Sequence, residues 1–232
     1  ACNSSSATVV PIYVSQRPNV SFSTPKDSVC VNTTTTFTNT SGNTSYIDNG
    51  QCINGKSIWS VSPASGWDLA NGSSLGNDFG LSDPSMWQAG SANLSLIFTT
   101  PGIYTIKLKT GNPLCGDAEI TKTICVNPQP TASFTVDETT GCGPLTVKTA
   151  NASPAPNCGT NSYIWSVTYA TAPGCTPSTS NYKFINGTSA LSVNPEFQFI
   201  NPGVYTIALI TKAPGGLCPS TAFTKTITVE EK

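Results

Sequence analysis

Apolar residues recur at every second position in short bursts along this chain. The run Ile103-Tyr104-Thr105-Ile106-Lys107-Leu108 alternates, and so does Val204-Tyr205-Thr206-Ile207-Ala208-Leu209. A period of two places one set of side chains on one face of a pleated strand. Threonine fills many of the intervening positions, as in Thr33-Thr34-Thr35-Thr36-Phe37-Thr38, and its branched Cβ suits a half-exposed sheet. No segment shows a helical period. The pattern predicts strands over 19–23, 33–40, 57–62, 93–99, 103–110 and 119–126. A second set is predicted over 131–136, 145–150, 162–169, 195–200, 204–211 and 222–229. The expected fold class is all-β, with short strands and Pro/Gly/Asn turns favouring antiparallel β-sandwiches.

The two sets repeat one another. Ile58-Trp59-Ser60-Val61 returns as Ile164-Trp165-Ser166-Val167. Pro101-Gly102-Ile103-Tyr104-Thr105-Ile106 returns as Pro202-Gly203-Val204-Tyr205-Thr206-Ile207, and Thr121-Lys122-Thr123-Ile124 as Thr224-Lys225-Thr226-Ile227. The order is kept, so two homologous modules stand in tandem. The expected boundaries are 17–127 and 128–232, joined through Asn127-Pro128-Gln129-Pro130, whose prolines favour an extended connector. Residues 1–16 resemble the closing strand of each module and are expected to end a preceding, truncated one, within a longer array.

The chain has 232 residues, 11 Lys and Arg against 12 Asp and Glu, and no histidine. Near-neutral charge offers no footprint for nucleic acid or an anionic membrane. No apolar run approaches the roughly 20 residues of a membrane-spanning helix. The absent histidine removes Ser-His and Cys-His nucleophiles and every His-containing metal site. There is no nucleophile elbow and no phosphate loop, so the chain is expected not to be an enzyme and to need no cofactor. Nine cysteines lie dispersed, none in a C-x-x-C pair. That usage points to disulfides formed in an oxidising, extracellular setting rather than to zinc or thioredoxin chemistry. The N-terminal residues Ala1-Cys2-Asn3-Ser4 do not read as a signal peptide.

Ala132-Ser133-Phe134, Gly143-Pro144-Leu145-Thr146-Val147, the Trp strand, Asn201-Pro202-Gly203-Val204-Tyr205-Thr206-Ile207 and Thr224-Lys225-Thr226-Ile227-Thr228-Val229 together resemble PKD modules, an immunoglobulin-like sandwich family. The resemblance covers both modules. Typical members carry W-D-F-G-D-G in the central strand, whereas Trp59-Ser60-Val61 and Trp165-Ser166-Val167 stand here. That variant, followed by Phe184-Ile185-Asn186-Gly187-Thr188-Ser189, is similar to repeats of giant surface adhesins of gliding Bacteroidetes. The resemblance implies tandem Ig-like sandwiches in a secreted bacterial cell-surface protein. Its partners would be neighbouring repeats of the same chain and surface polysaccharide, with no nucleic acid and no membrane insertion.

Aligning the modules pairs Cys30 with Cys142, Cys52 with Cys158, and Cys115 with Cys218. Cys125 and Cys175 have no counterpart, and Cys2 belongs to the truncated module. The Ig-like topology implied by the resemblance suggests Cys52–Cys115 and Cys158–Cys218 at one pole, and Cys30–Cys125 and Cys142–Cys175 at the other, leaving Cys2 unpaired. Four cysteines allow three connectivities, so other pairings stay open.

Trp59 and Trp165 are expected in the cores and Tyr104 and Tyr205 as corner tyrosines. Trp67 and Trp87, in the irregular stretch 63–90, and Tyr182 are candidate ligand-binding residues, since an exposed ring stacks on sugars. The competing role is closing a satellite cluster under a long loop. Asn77-Asp78-Phe79-Gly80-Leu81-Ser82-Asp83 gathers oxygens without the regular spacing of a calcium loop, and no metal is expected there. Two functions compete: an adhesive structural segment of a surface filament, and a carbohydrate-binding accessory pair of a secreted polysaccharidase.

Overall fold

The computed structural model describes residues 12, 14–171 and 181–231. Ten strands lie between residues 22 and 127: β1 (Phe22–Ser23), β2 (Ser28–Cys30), β3 (Thr34–Asn39), β4 (Tyr46–Asp48), β5 (Gln51–Ile53), β6 (Lys56–Ser62), β7 (Trp67–Ala70), β8 (Asn93–Phe98), β9 (Gly102–Asn112) and β10 (Gly116–Asn127). They form sheets ordered β1-β3-β8-β7 and β2-β10-β9-β6, plus the hairpin β4-β5. Nine more follow: β11 (Phe134–Val136), β12 (Thr140–Cys142), β13 (Leu145–Asn151), β14 (Ser162–Thr171), β15 (Tyr182–Phe184), β16 (Glu196–Phe199), β17 (Gly203–Ala213), β18 (Leu217–Pro219) and β19 (Phe223–Glu230). Their sheets run β11-β13-β16-β15 and β12-β19-β17-β14, with β18 beside β17.

Both sets follow the immunoglobulin-like order of a four-strand sheet facing a three-strand sheet. To the latter each adds a short strand running parallel to the last: β2 with β10, and β12 with β19. The fold is therefore all-β, in tandem Ig-like sandwiches. The predicted strands appear within one to three residues of their expected ends. Among the described residues the short strands β2, β4, β5, β7, β12, β15 and β18 lie outside those predictions, each only three or four residues long.

By packing, the described residues form two compact units. One comprises residues up to 27, 34–97 and 104–124; the other comprises 28–33, 98–103 and those from 125 onward. In the first unit Phe22, Phe37, Leu94 and Leu96 of one sheet are buried, as are Trp59, Tyr104, Ile106 and Leu108 of the other. Phe22 meets Trp59 edge-on, ring centroids 5.3 Å apart, which closes the space between the sheets. In the second unit Phe134, Val147, Phe197 and Phe199 share one core with Trp165, Tyr205, Ile207, Leu209, Ile227 and Val229. Each such side chain contributes about 1.5–3 kcal/mol through burial. Period-two alternation produces this directly: Tyr104, Ile106, Leu108 and Thr110 all face inward from β9.

The central tryptophans occupy the same place in both sets. Trp59 is 3% exposed and its Nε1 donates to the Ser91 carbonyl at 2.7 Å. Trp165 is 2% exposed and donates to the Ser192 carbonyl at 2.9 Å. Tyr205 acts as a corner tyrosine: its hydroxyl lies 2.9 Å from the Asn201 carbonyl and accepts from the Asn201 amide at 3.2 Å. Tyr104 instead reaches a loop, donating to the Gly66 carbonyl at 3.0 Å.

Candidate functional site

The segment 63–90 of the first unit is held to the sheet by two lysines. Lys56, at the start of β6, donates to the carbonyls of Ser85 and Trp87, both at 2.7 Å. Lys109, on β9, pairs with Asp78 at 3.3 Å and Asp117 at 3.2 Å and stands 4.6 Å over the Trp87 ring. Burial opposes the charge of Lys109, but its hydrogen bonds to Asp117 and Asp78 prevail and raise its pKa above the usual lysine value. The Gly80 amide, and then Lys109, draw the Asp78 carboxyl below its usual pKa. Glycine is required under this loop: a Cβ on Gly111 would come within 2.6 Å of Pro84 Cγ and 3.0 Å of the Trp87 ring.

Trp87 is therefore no sugar platform. It is 2% exposed, its Nε1 donates to the Leu81 carbonyl at 2.9 Å, and its face is covered by Lys109. It closes a satellite cluster, which corrects the ligand-binding expectation for this residue. Trp67, in β7, is half-buried and donates to the Pro63 carbonyl at 2.9 Å. Tyr182 belongs to the second unit, half-buried in an aromatic cluster with Phe184, Phe197 and Phe199 at centroid distances of 6.0, 6.3 and 6.4 Å. Trp67 and Trp87 belong to the first unit and Tyr182 to the second, so neither unit holds all three candidates. The same loop instead exposes apolar side chains that alternation did not single out: Leu69, Phe79, Leu81 and Met86.

The oxygens of 77–83 serve the loop itself. Asn77 Oδ1 accepts from the Phe79 amide, Asp78 Oδ1 from Gly80, and Asp83 Oδ1 from Ser85, at 2.7, 3.1 and 2.9 Å. These are local turns of the kind Asn and Asp favour. Beside them a groove of about 280 Å³ is lined by Trp59, Asn77, Asp78, Lys107, Lys109 and Glu119. Its charges pair with one another, Lys107 with Glu119 at 3.2 Å and Lys109 with Asp78. Among the described residues no three His, Cys, Asp or Glu side chains gather as metal ligands would.

The second unit also holds a covalent node. There β2 runs parallel to the end of β10, with Ser28 opposite Cys125, Val29 opposite Val126 and Cys30 opposite Asn127. Asn127 is fully buried. Its Nδ2 donates to Ser28 Oγ at 2.9 Å, its Oδ1 accepts from the Asn157 amide at 3.2 Å, and its carbonyl accepts from the Val31 amide at 3.0 Å. Gln129 Nε2 donates to the Pro219 carbonyl at 3.1 Å. Two disulfides close the node, Cys30–Cys218 and Cys125–Cys158, with Cα–Cα distances of 6.0 and 6.5 Å.

These bonds differ from the expected pairing. Cys30 and Cys125 do lie on neighbouring strands, but two rungs out of register. Two rungs of about 3.3 Å and a strand spacing of about 4.8 Å put their Cα atoms about 8 Å apart, beyond disulfide reach. Cys158 and Cys218 are then engaged by Cys125 and Cys30 respectively. Cys52 and Cys115 are not bonded to each other: Cys52 is an exposed thiol on the hairpin β4-β5, opposite Ile47, and Cys115 is a half-buried thiol in the turn after β9. The hairpin, absent before Trp165, carries Cys52 outward. Cys142 is an exposed free thiol. Its expected partner Cys175 and the unpaired Cys2 lie outside the described residues.

No family model matches the chain, and no curated protein matches it. Solved structures with similar strand arrangements include the Escherichia coli adhesin FdeC, at 13% identity and a TM-score of 0.46 over 95% of this chain and 66% of that one. A C-terminal fragment of intimin in complex with the intimin-binding domain of its translocated receptor gives 12%, 0.47, 91% and 64%. Three N-terminal domains of the bacteriophage outer capsid protein Hoc give 12%, 0.46, 93% and 71%. The chain spans just under two thirds of the first two. The likeness is too slight to bring a function with it, and the fold rests on the sheets themselves.

Proposed function

We propose that this chain is a non-enzymatic structural and adhesive repeat segment of a long bacterial cell-surface adhesin, of the gliding-motility kind for which SprB is the named example. Its task is to transmit tension between a cell and a surface or polysaccharide. The Cys30–Cys218 disulfide carries this reading. It joins points 188 residues apart in sequence, so tension entering before Cys30 and leaving after Cys218 bypasses the chain between them. Such bonds fit an oxidising, extracellular location. Adhesive contact is assigned to the exposed apolar side chains of the 67–86 segment, Phe79 and Met86 foremost, with Trp67 beside them in sequence.

The test is a retention assay with beads carrying the full chain, pulled from polysaccharide-coated glass. Retention should fall several-fold in a Phe79→Ser/Met86→Ser variant while the melting temperature is kept. Equal retention by wild type, variant and bare beads would remove the adhesive part. A glycan array bound by wild type and lost only in Trp67→Ala would move the chain to the accessory carbohydrate-binding reading.

A further inference from the structure

All three free thiols among the described residues occupy positions whose repeat counterparts are bonded, and two of them, Cys142 and Cys115, match the two ends of one bond, Cys30–Cys218. Cys142 stands where Cys30 stands, each eight residues after the opening Phe, Phe134 or Phe22. Cys115 stands where Cys218 stands, each soon after the Tyr-Thr-Ile strand, Cys115 in the turn that follows β9 and Cys218 in the short strand β18 that follows β17. The backbone around Cys142 repeats the node independently of the thiol. Strand β12 runs parallel to the end of β19, with Cys142 opposite Glu230, as Cys30 is opposite Asn127. The Gly143 amide donates to the Glu230 carbonyl at 3.1 Å, as the Val31 amide donates to Asn127 at 3.0 Å. One bonded pair, Cys30–Cys218, runs from the first sequence repeat to the second.

We propose that Cys142 and Cys115 are the outgoing and incoming halves of the same bond made to further copies of this repeat. Cys142 bonds the cysteine at the Cys115/Cys218 position of a copy that follows. Cys115 receives the cysteine at the Cys30/Cys142 position of a copy that precedes. The partner is therefore another Ig-like repeat with this cysteine spacing, and the product is a covalent ladder running along the array. The oxidant is a small-molecule disulfide such as oxidised glutathione. The Cys142 thiolate attacks it and releases one glutathione thiolate. The second thiolate then attacks the Cys142 sulfur of the mixed disulfide and releases the other. Two protons and two electrons leave the protein pair, and the electrons reduce one glutathione disulfide to two thiols.

The node's second bond does not propagate. Thr228 stands where Cys125 stands, so no cysteine is available there for the Cys52 of a following copy. Cys52 thus remains a thiol in the ladder, which separates ordered bonding from indiscriminate oxidation of exposed cysteines.

The test joins the full chain at Lys232 to a second copy begun at Pro18. Lys232 and Pro18 then take the places of Gln129 and Pro130. The second copy's Cys115 falls 188 residues from Cys142, the separation of Cys30 and Cys218. After equilibration in a glutathione redox buffer, the protein is alkylated, digested without reduction and mapped by mass spectrometry. Cys142 of the first copy should be linked to Cys115 of the second in most molecules, with Cys52 alkylated and Cys30–Cys218 linked in both copies. A Cys142→Ser variant should leave the second copy's Cys115 alkylated. The Cys30–Cys218 links report folding, so their presence beside alkylated Cys142 and Cys115 would overturn the proposal. A Cys142–Cys175 link would overturn it as well. None of these outcomes depends on adhesion, so this inference and the function proposed above fail separately.

Discussion

Held by its ends and stretched, the oxidised chain should give up little length. The Cys30–Cys218 disulfide leaves only residues 1–30 and 218–232 in the path of the force, bridged by a link whose Cα atoms are 6.0 Å apart. At 3.3–3.6 Å per extended residue those segments yield about 150 Å. Reduction brings the 188-residue interval into the path and adds about 620–680 Å. Cys125–Cys158 lies wholly inside that interval and changes nothing while the outer bond is intact. In a single-molecule force measurement the wild type should lengthen by the short increment, and by the long one after phosphine reduction. Cys218→Ser should shed most of the outer shielding without any reductant, leaving only the 33-residue Cys125–Cys158 interval closed. Loop-closure entropy also predicts that the outer bond stabilises the fold by about 5 kcal/mol. A wild-type chain that lengthens by the long increment while mass spectrometry finds it oxidised at Cys30–Cys218 would refute this assignment of the force path.

Other outcomes follow from single contacts. Trp87→Ala should destabilise by about 3–5 kcal/mol in urea unfolding, since it empties a filled site, whereas Trp67→Ala should cost clearly less because its ring is half-exposed. Asn127→Ala should cost about 1–3 kcal/mol, because Ser28 Oγ and the Asn157 amide lose their buried partner. Asp78 has a lowered pKa, so its contribution is complete above the unfolded value of 3.8 and disappears as pH falls through the lower folded value. Lys109 has a raised pKa, so its contribution is complete below 10.5 and disappears as pH rises through the higher folded value. The Trp87 indole N–H resonance should hold steady between those limits and shift beyond them. A shift near neutrality would contradict the pairing, since the chain has no histidine to titrate there.

The long strands were legible because each buries one face. Tyr205, Ile207 and Leu209 announce β17 by spacing alone, and Trp165 marks β14. The three-residue strands β2 and β12 carry too few positions to alternate, and they pair in parallel with strands nearly a hundred residues away. That pairing decides the disulfides. Nothing local in Ser28-Val29-Cys30 reveals that Cys30 faces Asn127 rather than Cys125, and a two-rung offset is enough to redirect both bonds. The equivalence of Cys30 with Cys142 and of Cys115 with Cys218 was legible, but not that Cys30 bonds Cys218 across the two sequence repeats. Trp87 carried the signal of an aromatic in a long loop, which fits a buried anchor as well as an exposed platform. Lys56 and Lys109 settle the matter, and they reach the loop from strands where alternation marks them only as solvent-facing.

The outer disulfide also changes what a protease does. Cleavage at any one peptide bond from Val31 to Leu217 opens a ring instead of severing a thread, because Cys30 and Cys218 still hold the two ends together. The exposed 78–86 loop, a natural place for a nick, lies inside that ring. Damage there leaves the segment continuous and still able to carry a pull from end to end.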